Sequence, residues 1–315
     1  MFGKKKVVAP PPDELMKLLA RRGPHKVDRG DLGIVGLSGQ VFAPREGKNL
    51  PAVAFGHGWL RSSRAYRDLL FHLASWGIVV AAPDSERGPL ASDIELATDL
   101  RAALTVCAGV QLGAPGRLSV DADRLGLVGH GFGAAAAVRA AADRTLLGRP
   151  QIPVRALVTL FPAPTAADLR DDAAKVTAPA LILAAPTELD SMTGNAVTLT
   201  ELLGGEVVLR TLAGASAGDL LENPTVRGFL GVNGAERKVH AAVRAQVTGY
   251  LLHRLAGREE YAAFAEPETT MGAATVVAAP DIRRADADHL SQLLGNPAYR
   301  VDDEKRKKRL PALGR

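Results

Sequence analysis

A single cysteine in 315 residues excludes an internal disulfide. Cys107 lies in an apolar helical stretch, LRAALTVCAGV, where a buried and inert thiol is expected. Long hydrophobic runs are also missing: none approaches the roughly 18 apolar residues of a membrane span. The N-terminus, MFGKKKVVAPPPDELMK, is basic but has no apolar segment behind its lysines. Pro10, Pro11, Pro12, Asp13 and Glu14 follow too soon for a secretory signal, so a cytoplasmic location is expected. Aromatic residues make up only 4% of the chain. With no recognition helix, zinc spacing or interleaved aromatics, no specific nucleic-acid partner, metal or cofactor is expected.

What is present is an apolar share of 47% and a charged share of 23%, the balance of a globular chain long enough for one large core. The net charge of +5 belongs to the chain ends. Lys4, Lys5 and Lys6 at one end, with Lys305, Arg306, Lys307, Lys308 and Arg309 at the other, carry 8 positive charges, which leaves −3 for the rest. Frayed, solvated tails are the plain reading of such runs. Weak contact with an anionic membrane, at its inner face, is the other.

Residues 13–22, DELMKLLARR, predict a short helix opened by acids, closed by arginines and stopped at Gly23. Leu15, Leu18 and Leu19 share a face that must dock, since so short a helix does not persist alone in water. Strands and helices then alternate. Strands are predicted at 33–43, 51–56, 77–82, 124–129, 154–160, 179–185 and 206–212, with helices near 65–75, 92–107, 133–146 and 192–203. Continuous apolar runs such as GIVVAA and ALILAA suit strands covered on both faces, the mark of a mainly parallel sheet. Residues 236–255 predict a closing helix with Val239, Val243, Val247 and Leu251 on one face. Periodicity fades from residue 266. The expected organisation is a basic segment with a short helix (1–31), one α/β domain (32–260) and a C-terminal extension (261–315), with no large inserted lid.

Three local signatures agree. Residues 51–59, PAVAFGHGW, form a strand ending in an HG turn; SWGIVVAAPD (75–84) is the next helix-to-strand unit; VDADRLGLVGHGFGAAAAV (120–138) is a strand, a glycine-rich turn and an alanine-rich helix. Together they resemble the α/β-hydrolase superfamily, in the flavour of dienelactone hydrolases, chlorophyllases and cutinase-like polyester hydrolases. The likeness spans roughly residues 32–260 and implies an α/β-hydrolase fold with helices on both faces of a mainly parallel sheet.

Active members of that superfamily use a Ser on a G-x-S-x-G elbow, then an acid, then a His. Here Gly131 occupies the Ser position, between Gly129 and Gly133, and glycine has no atom with which to attack a carbonyl. His130 precedes it, as in the family's GHS pattern, where that histidine is usually structural. The resemblance places the acid in the loop after ALILAA, where Glu188 fits best and Asp190 second. It places the histidine after EVVLRTL, where Gly214-Ala215-Ser216 is followed by Ala217. No histidine lies between His130 and His240; His240, His253 and His289 are poor candidates for the base. The backbone amides of Trp59 and Phe132 occupy the family's oxyanion-hole positions, so Gly58, Trp59, His130, Gly131 and Phe132 form the candidate ligand corner. Three uses stay open. A catalytically inactive member would serve as a scaffold or binding module for a protein partner, through its terminal segments. A regulator would sense an acyl, ester or lactone ligand in the remnant pocket. A carboxylic-ester hydrolase would need a displaced set, with Ser62, Ser63 or Ser216 as nucleophile.

Overall fold

Apolar strands buried on both faces build the centre of the molecule. In the computed structural model, residues 10–109, 116–142, 145–146, 149–150, 152–189, 194–221, 234–276, 282–284 and 299–301 are described. The sheet strands are β1 (Val27–Asp31), β2 (Gly39–Pro44), β3 (Gly47–Gly56), β4 (Val79–Pro83), β5 (Leu118–His130), β6 (Ala156–Leu160), β7 (Ala180–Ala184), β8 (Val207–Leu212) and β9 (Ala274–Val276). Their spatial order is β1-β2-β4-β3-β5-β6-β7-β8-β9. From β4 to β8 all neighbours run parallel; β2 is antiparallel to β1 and to β4, and β9 to β8. Nine mostly parallel strands in this order, with helices around them, form the α/β-hydrolase fold expected from the sequence. The sheet draws its two edge strands from outside residues 32–260.

The helices are α1 (Pro12–Leu19), α2 (Arg67–Ser75), α3 (Asp93–Gly109), α4 (Phe132–Ala141), α5 (Arg170–Ala173), α6 (Ala196–Leu202) and α7 (Gly234–Arg254). Period-two alternation divides the core between the two faces of the sheet. Val53 and Phe55 of β3 join Val80 and Ala82 of β4 beneath α1, α2 and α7. Ala52, Ala54, Val79 and Ala81 turn the other way, against α3, α4 and α6. Cys107 is buried among the second group, and burial pushes its thiol up to about 12.

Three expectations are corrected. The strand predicted over 33–43 begins only at Gly39, because Asp31 accepts a hydrogen bond from the Gly33 amide (2.7 Å) and Leu32–Val35 forms a 3-10 turn closed by Gly36 at φ 79°. Side-chain capping and a left-handed glycine outweigh the strand pattern there. The helix predicted over 133–146 ends at Ala141, with Ala142 extended and its carbonyl accepting from Arg101 (3.2 Å). In α1 the docked face is Leu15, Met16 and Leu19, while Leu18 is exposed. α1 packs on α7, where Gln246 reaches the Met16 sulfur. No helix among the described residues is long and apolar enough to cross a membrane.

The carboxyl ends of β3, β4, β5, β6, β7 and β8 lie along one edge, and the loops leaving them converge there. Because β2 runs antiparallel to β4, with Gly39 opposite Pro83, the 32–38 segment entering β2 reaches the same edge. In open α/β sheets this is where ligands bind.

Candidate functional site

A single-residue turn joins β5 to α4 at that edge. Gly131 sits at its apex with φ 54° and ψ −115°, a conformation costly for residues with a side chain. Its amide donates to the Leu160 carbonyl (3.0 Å), and its own carbonyl accepts from Ala134 (3.0 Å). The flanking glycines answer to close packing. A Cβ on Gly129 would stand 2.1 Å from the Gly133 carbonyl oxygen, and one on Gly133 would stand 2.3 Å from the Gly56 carbonyl oxygen. Strand β3, strand β5 and helix α4 therefore meet backbone to backbone, which only glycine permits. At Gly131 itself a Cβ would meet one atom of the described residues within 4 Å, the Phe161 carbonyl oxygen at 4.0 Å. Among the described residues nothing crowds the apex of the elbow.

His130 is buried, with Nδ1 2.7 Å from the Tyr66 hydroxyl and Nε2 3.1 Å from the Ala217 carbonyl oxygen. The directions of the hydrogen bonds follow from the partners. The Gly58 amide donates to the Tyr66 oxygen (2.9 Å), so the Tyr66 O–H is free to donate to Nδ1. A carbonyl can only accept, so Nε2 carries the proton and the ring is neutral. Burial lowers the His130 pKa to about 4, in keeping with that state, and raises the Tyr66 phenol well above its ordinary range. One chain of bonds thus ties three loops: 57–66 after β3, the elbow, and 213–220 after β8. Phe55 and Phe161 close around it, with ring centroids 4.8 Å from Tyr66 and 6.1 Å from His130.

The loop after β7 adds a carboxylate. The Ala217 amide donates to Glu188 Oε2 at 3.4 Å. Residues 131, 188 and 217, assigned from the resemblance to nucleophile, acid and base, therefore stand on three loops that meet at one end of the sheet. Asp190, the second choice for the acid, lies outside the described residues, as does His289. His240 and His253 are on α7; His253 Nδ1 faces the Arg258 carbonyl. The Trp59 and Phe132 amides hydrogen-bond to no other backbone carbonyl among the described residues. The Trp59 side chain stands outward, 54% exposed, rather than packing beneath its own loop.

The three serines considered as displaced nucleophiles have other occupations. Ser63 is buried, taking Asp84 Oδ1 on its amide (2.6 Å) and Oδ2 on its hydroxyl (3.0 Å). Ser216 caps the short turn Ala217–Leu220 reciprocally with Asp219. Ser62 precedes the turn Ser63–Tyr66 and forms no side-chain cap. Among the described residues no hydrogen bond joins any of them to a histidine ring. His57, which sequence reading left without a role, is fully buried, and its two nitrogens face the Gly58 and Ser85 carbonyls at 2.9 and 2.7 Å. It fastens the loop after β3 to the loop after β4. No sequence signal marks the tie between His130 and Tyr66 either, since the two lie 64 positions apart. No group of three or more His, Cys, Asp or Glu side chains among the described residues is placed to hold a metal ion.

A family model described as Chlorophyllase matches residues 36–197, just over half of the chain. The match takes in the 57–66 loop, the elbow and Glu188, and stops before the loop that carries Ala217. A search of curated proteins returned no match.

Proposed function

From a chain that belongs to the chlorophyllase family, within the α/β-hydrolase superfamily, we propose a protein that keeps the hydrolase frame and binds rather than hydrolyses. Gly131 at the apex of the elbow is the observation that carries the reading. Serine-type acyl transfer needs an oxygen there to attack a carbonyl and a base to take its proton. The apex offers hydrogen, and the residue beside the Glu188 carboxylate is Ala217. In a triad enzyme, losing the nucleophile or the base alone costs on the order of 10⁶ in turnover. The rest of the corner suits an acyl carbonyl or carboxylate. The Trp59 and Phe132 amides are hydrogen-bond donors independent of side-chain identity, and Phe132 opens a helix whose first turn favours negative charge. The chain is therefore read as a binding module, its terminal segments contributing to a protein partner and its corner to an acyl, ester or lactone ligand.

The test puts both groups back. Gly131→Ser with Ala217→His is expected to raise hydrolysis of p-nitrophenyl butyrate from the buffer rate to a measurable turnover that needs both substitutions. The native chain is expected to stay at the buffer rate. Turnover by the native chain that disappears with a substitution at Ser62, Ser63 or Ser216 would establish a displaced site and end the proposal.

A further inference from the structure

Seven large apolar side chains are exposed among the described residues, and six of them stand at the carboxyl edge of the sheet: Ile34, Val35, Trp59, Leu60, Leu90 and Ile94. They come from three segments, the 32–38 entry to β2, the 57–66 loop after β3 and the 84–94 stretch after β4. Strands β2, β4 and β3 are consecutive neighbours in the sheet, so the three segments lie side by side, about 5 Å apart from strand to strand. Hydrogen bonds hold them together: Asp84 donates its amide to the Ser38 carbonyl (2.8 Å), Asp84 takes Ser63, and His57 reaches Ser85. Leu60 and Glu86 keep φ values of 57° and 53°, a region side chains disfavour, and Leu60 thereby presents an apolar group to solvent.

The charges on these segments are sorted. Asp84 is engaged by Ser63, Glu86 Oε2 accepts the Ser92 amide (2.6 Å), and Asp93 is buried against Arg139 (2.8 Å). Arg61, Arg64 and Arg87 are exposed and form no ion pair among the described residues. Glu95, on the first turn of α3, and Asp31, which accepts the Gly33 amide (2.7 Å), are the exposed carboxylates that border these segments in sequence. Apolar tips on the same segments as three guanidiniums that form no ion pair among the described residues complement a surface that is apolar inside and anionic outside.

We propose that this edge docks on an anionic lipid surface. Ile34 is 89% and Leu90 96% exposed. Side chains standing that free make no flat patch for a protein to match, but a fluid acyl layer accepts them without shape complementarity. Trp59, with its amphipathic ring, belongs at the headgroup level, and the arginines belong among lipid phosphates. The docking faces the Gly131 corner toward the bilayer and does not depend on whether that corner turns over an ester.

The test uses the full chain with phosphatidylcholine vesicles, with and without phosphatidylglycerol. Co-sedimentation that needs phosphatidylglycerol is expected, with a blue shift of tryptophan emission and quenching by bromine-labelled acyl chains. Trp59 and Trp76 are the two tryptophans; Trp76 is half-buried with its Nε1 bonded to the Arg21 carbonyl, so Trp59 reports. Leu90→Asp, at a site too exposed to disturb folding, is expected to weaken binding about tenfold or more. Arg61→Gln and Arg87→Gln are each expected to weaken it about fivefold. No binding to either vesicle overturns the proposal. So does binding that ignores Leu90→Asp but vanishes when the lysine and arginine runs at the termini are neutralised. A dimer broken by Leu90→Asp, or a protein partner lost with it while vesicles remain unbound, would assign the edge to that occupant instead.

Discussion

Placing serine at the elbow should destabilise the fold, although the site has room for it. At φ 54° and ψ −115°, Gly131 occupies backbone space that costs residues with a Cβ about 1–3 kcal/mol. Steric overlap with the described residues adds nothing, because their nearest atom to a Cβ is the Phe161 oxygen at 4.0 Å. A stiffer unfolded chain returns about 0.4–1 kcal/mol whenever glycine is replaced. The net expectation for Gly131→Ala is a loss of about 1–2 kcal/mol, and Gly131→Ser should lie within about 1 kcal/mol of it, because its hydroxyl remains solvated. For a domain of this size that is a fall in Tm of roughly 1.5–3 °C. Urea titration followed by far-ultraviolet circular dichroism reads the difference directly. The contrast lies at Gly129→Ala and Gly133→Ala, where a Cβ would sit 2.1 and 2.3 Å from backbone atoms; these variants should lose the cooperative transition altogether. Gly131→Ala as stable as the native chain, or more so, would refute the claim that the turn is held in a strained conformation. An equal cost at positions 129 and 131 would refute the separation of strain from crowding.

Two further outcomes test the hydrogen-bond chain behind the elbow. Tyr66→Phe removes the hydroxyl that serves the Gly58 amide and His130 Nδ1, stranding two buried groups at about 1–3 kcal/mol each. A loss of about 2–4 kcal/mol in urea titration is expected, and a loss below about 0.5 kcal/mol would remove the bridge from the account. Acid should loosen the same region. Burial lowers both His72 and His130 to about 4, while an unfolded histidine titrates near 6.5. The unfolded chain therefore binds more protons between those values. The contribution of each neutral ring is whole above about pH 6.5, declines as pH falls, and is spent near pH 4, on the order of 3 kcal/mol for each. Stability measured from pH 7.5 to 4.5 should fall steadily, and His130→Asn should flatten part of that slope; a profile unchanged by that substitution would contradict the assignment.

The fold was legible because its signals are local. Two-sided apolar runs marked β4 and β7, apolar residues four apart marked α7, and three glycines around residue 131 marked the turn. Missed features depend on contacts distant in sequence or on capping. β1, with the sequence VDRGD, has no apolar alternation and is a strand only because Val27–Asp31 pairs with β2. Leu18 had the spacing of a core residue, but Met16 took the place on α7 through Gln246. In the site, residues 131, 188 and 217 were named from the resemblance, and their meeting depends on how loops after β5, β7 and β8 return to one edge. The partners of His130 could not be named, because Tyr66 and Ala217 lie 64 and 87 positions away. The apolar edge was equally hidden: Ile34 fell within a predicted strand, Ile94 within a predicted helix and Leu90 between elements, and only the fold places all three on the surface.

A site's frame and its reactivity answer to different energies, and on the proposed binding role the two come apart at identifiable residues. Gly129 and Gly133 are held by backbone contacts that no side chain survives. Tyr66 and His130 are held by burial, since each removes an unsatisfied group from the other. The amides of Trp59 and Phe132 come with the turns that carry them. Any change in these groups would be felt in folding. No such constraint holds a side chain at position 217, and at position 131 the strained backbone itself favours glycine. Among the described residues nothing crowds a Cβ at the apex, and Ala217 is half-exposed, contributing its backbone N–H to Glu188 and its carbonyl to His130 whatever its side chain. Stability alone would keep the corner without requiring a nucleophile or a base in it. It also follows that a chain retained for binding would show its constraint in surface groups that folding does not need, and the exposed Trp59, Leu90, Arg61 and Arg87 are of that kind.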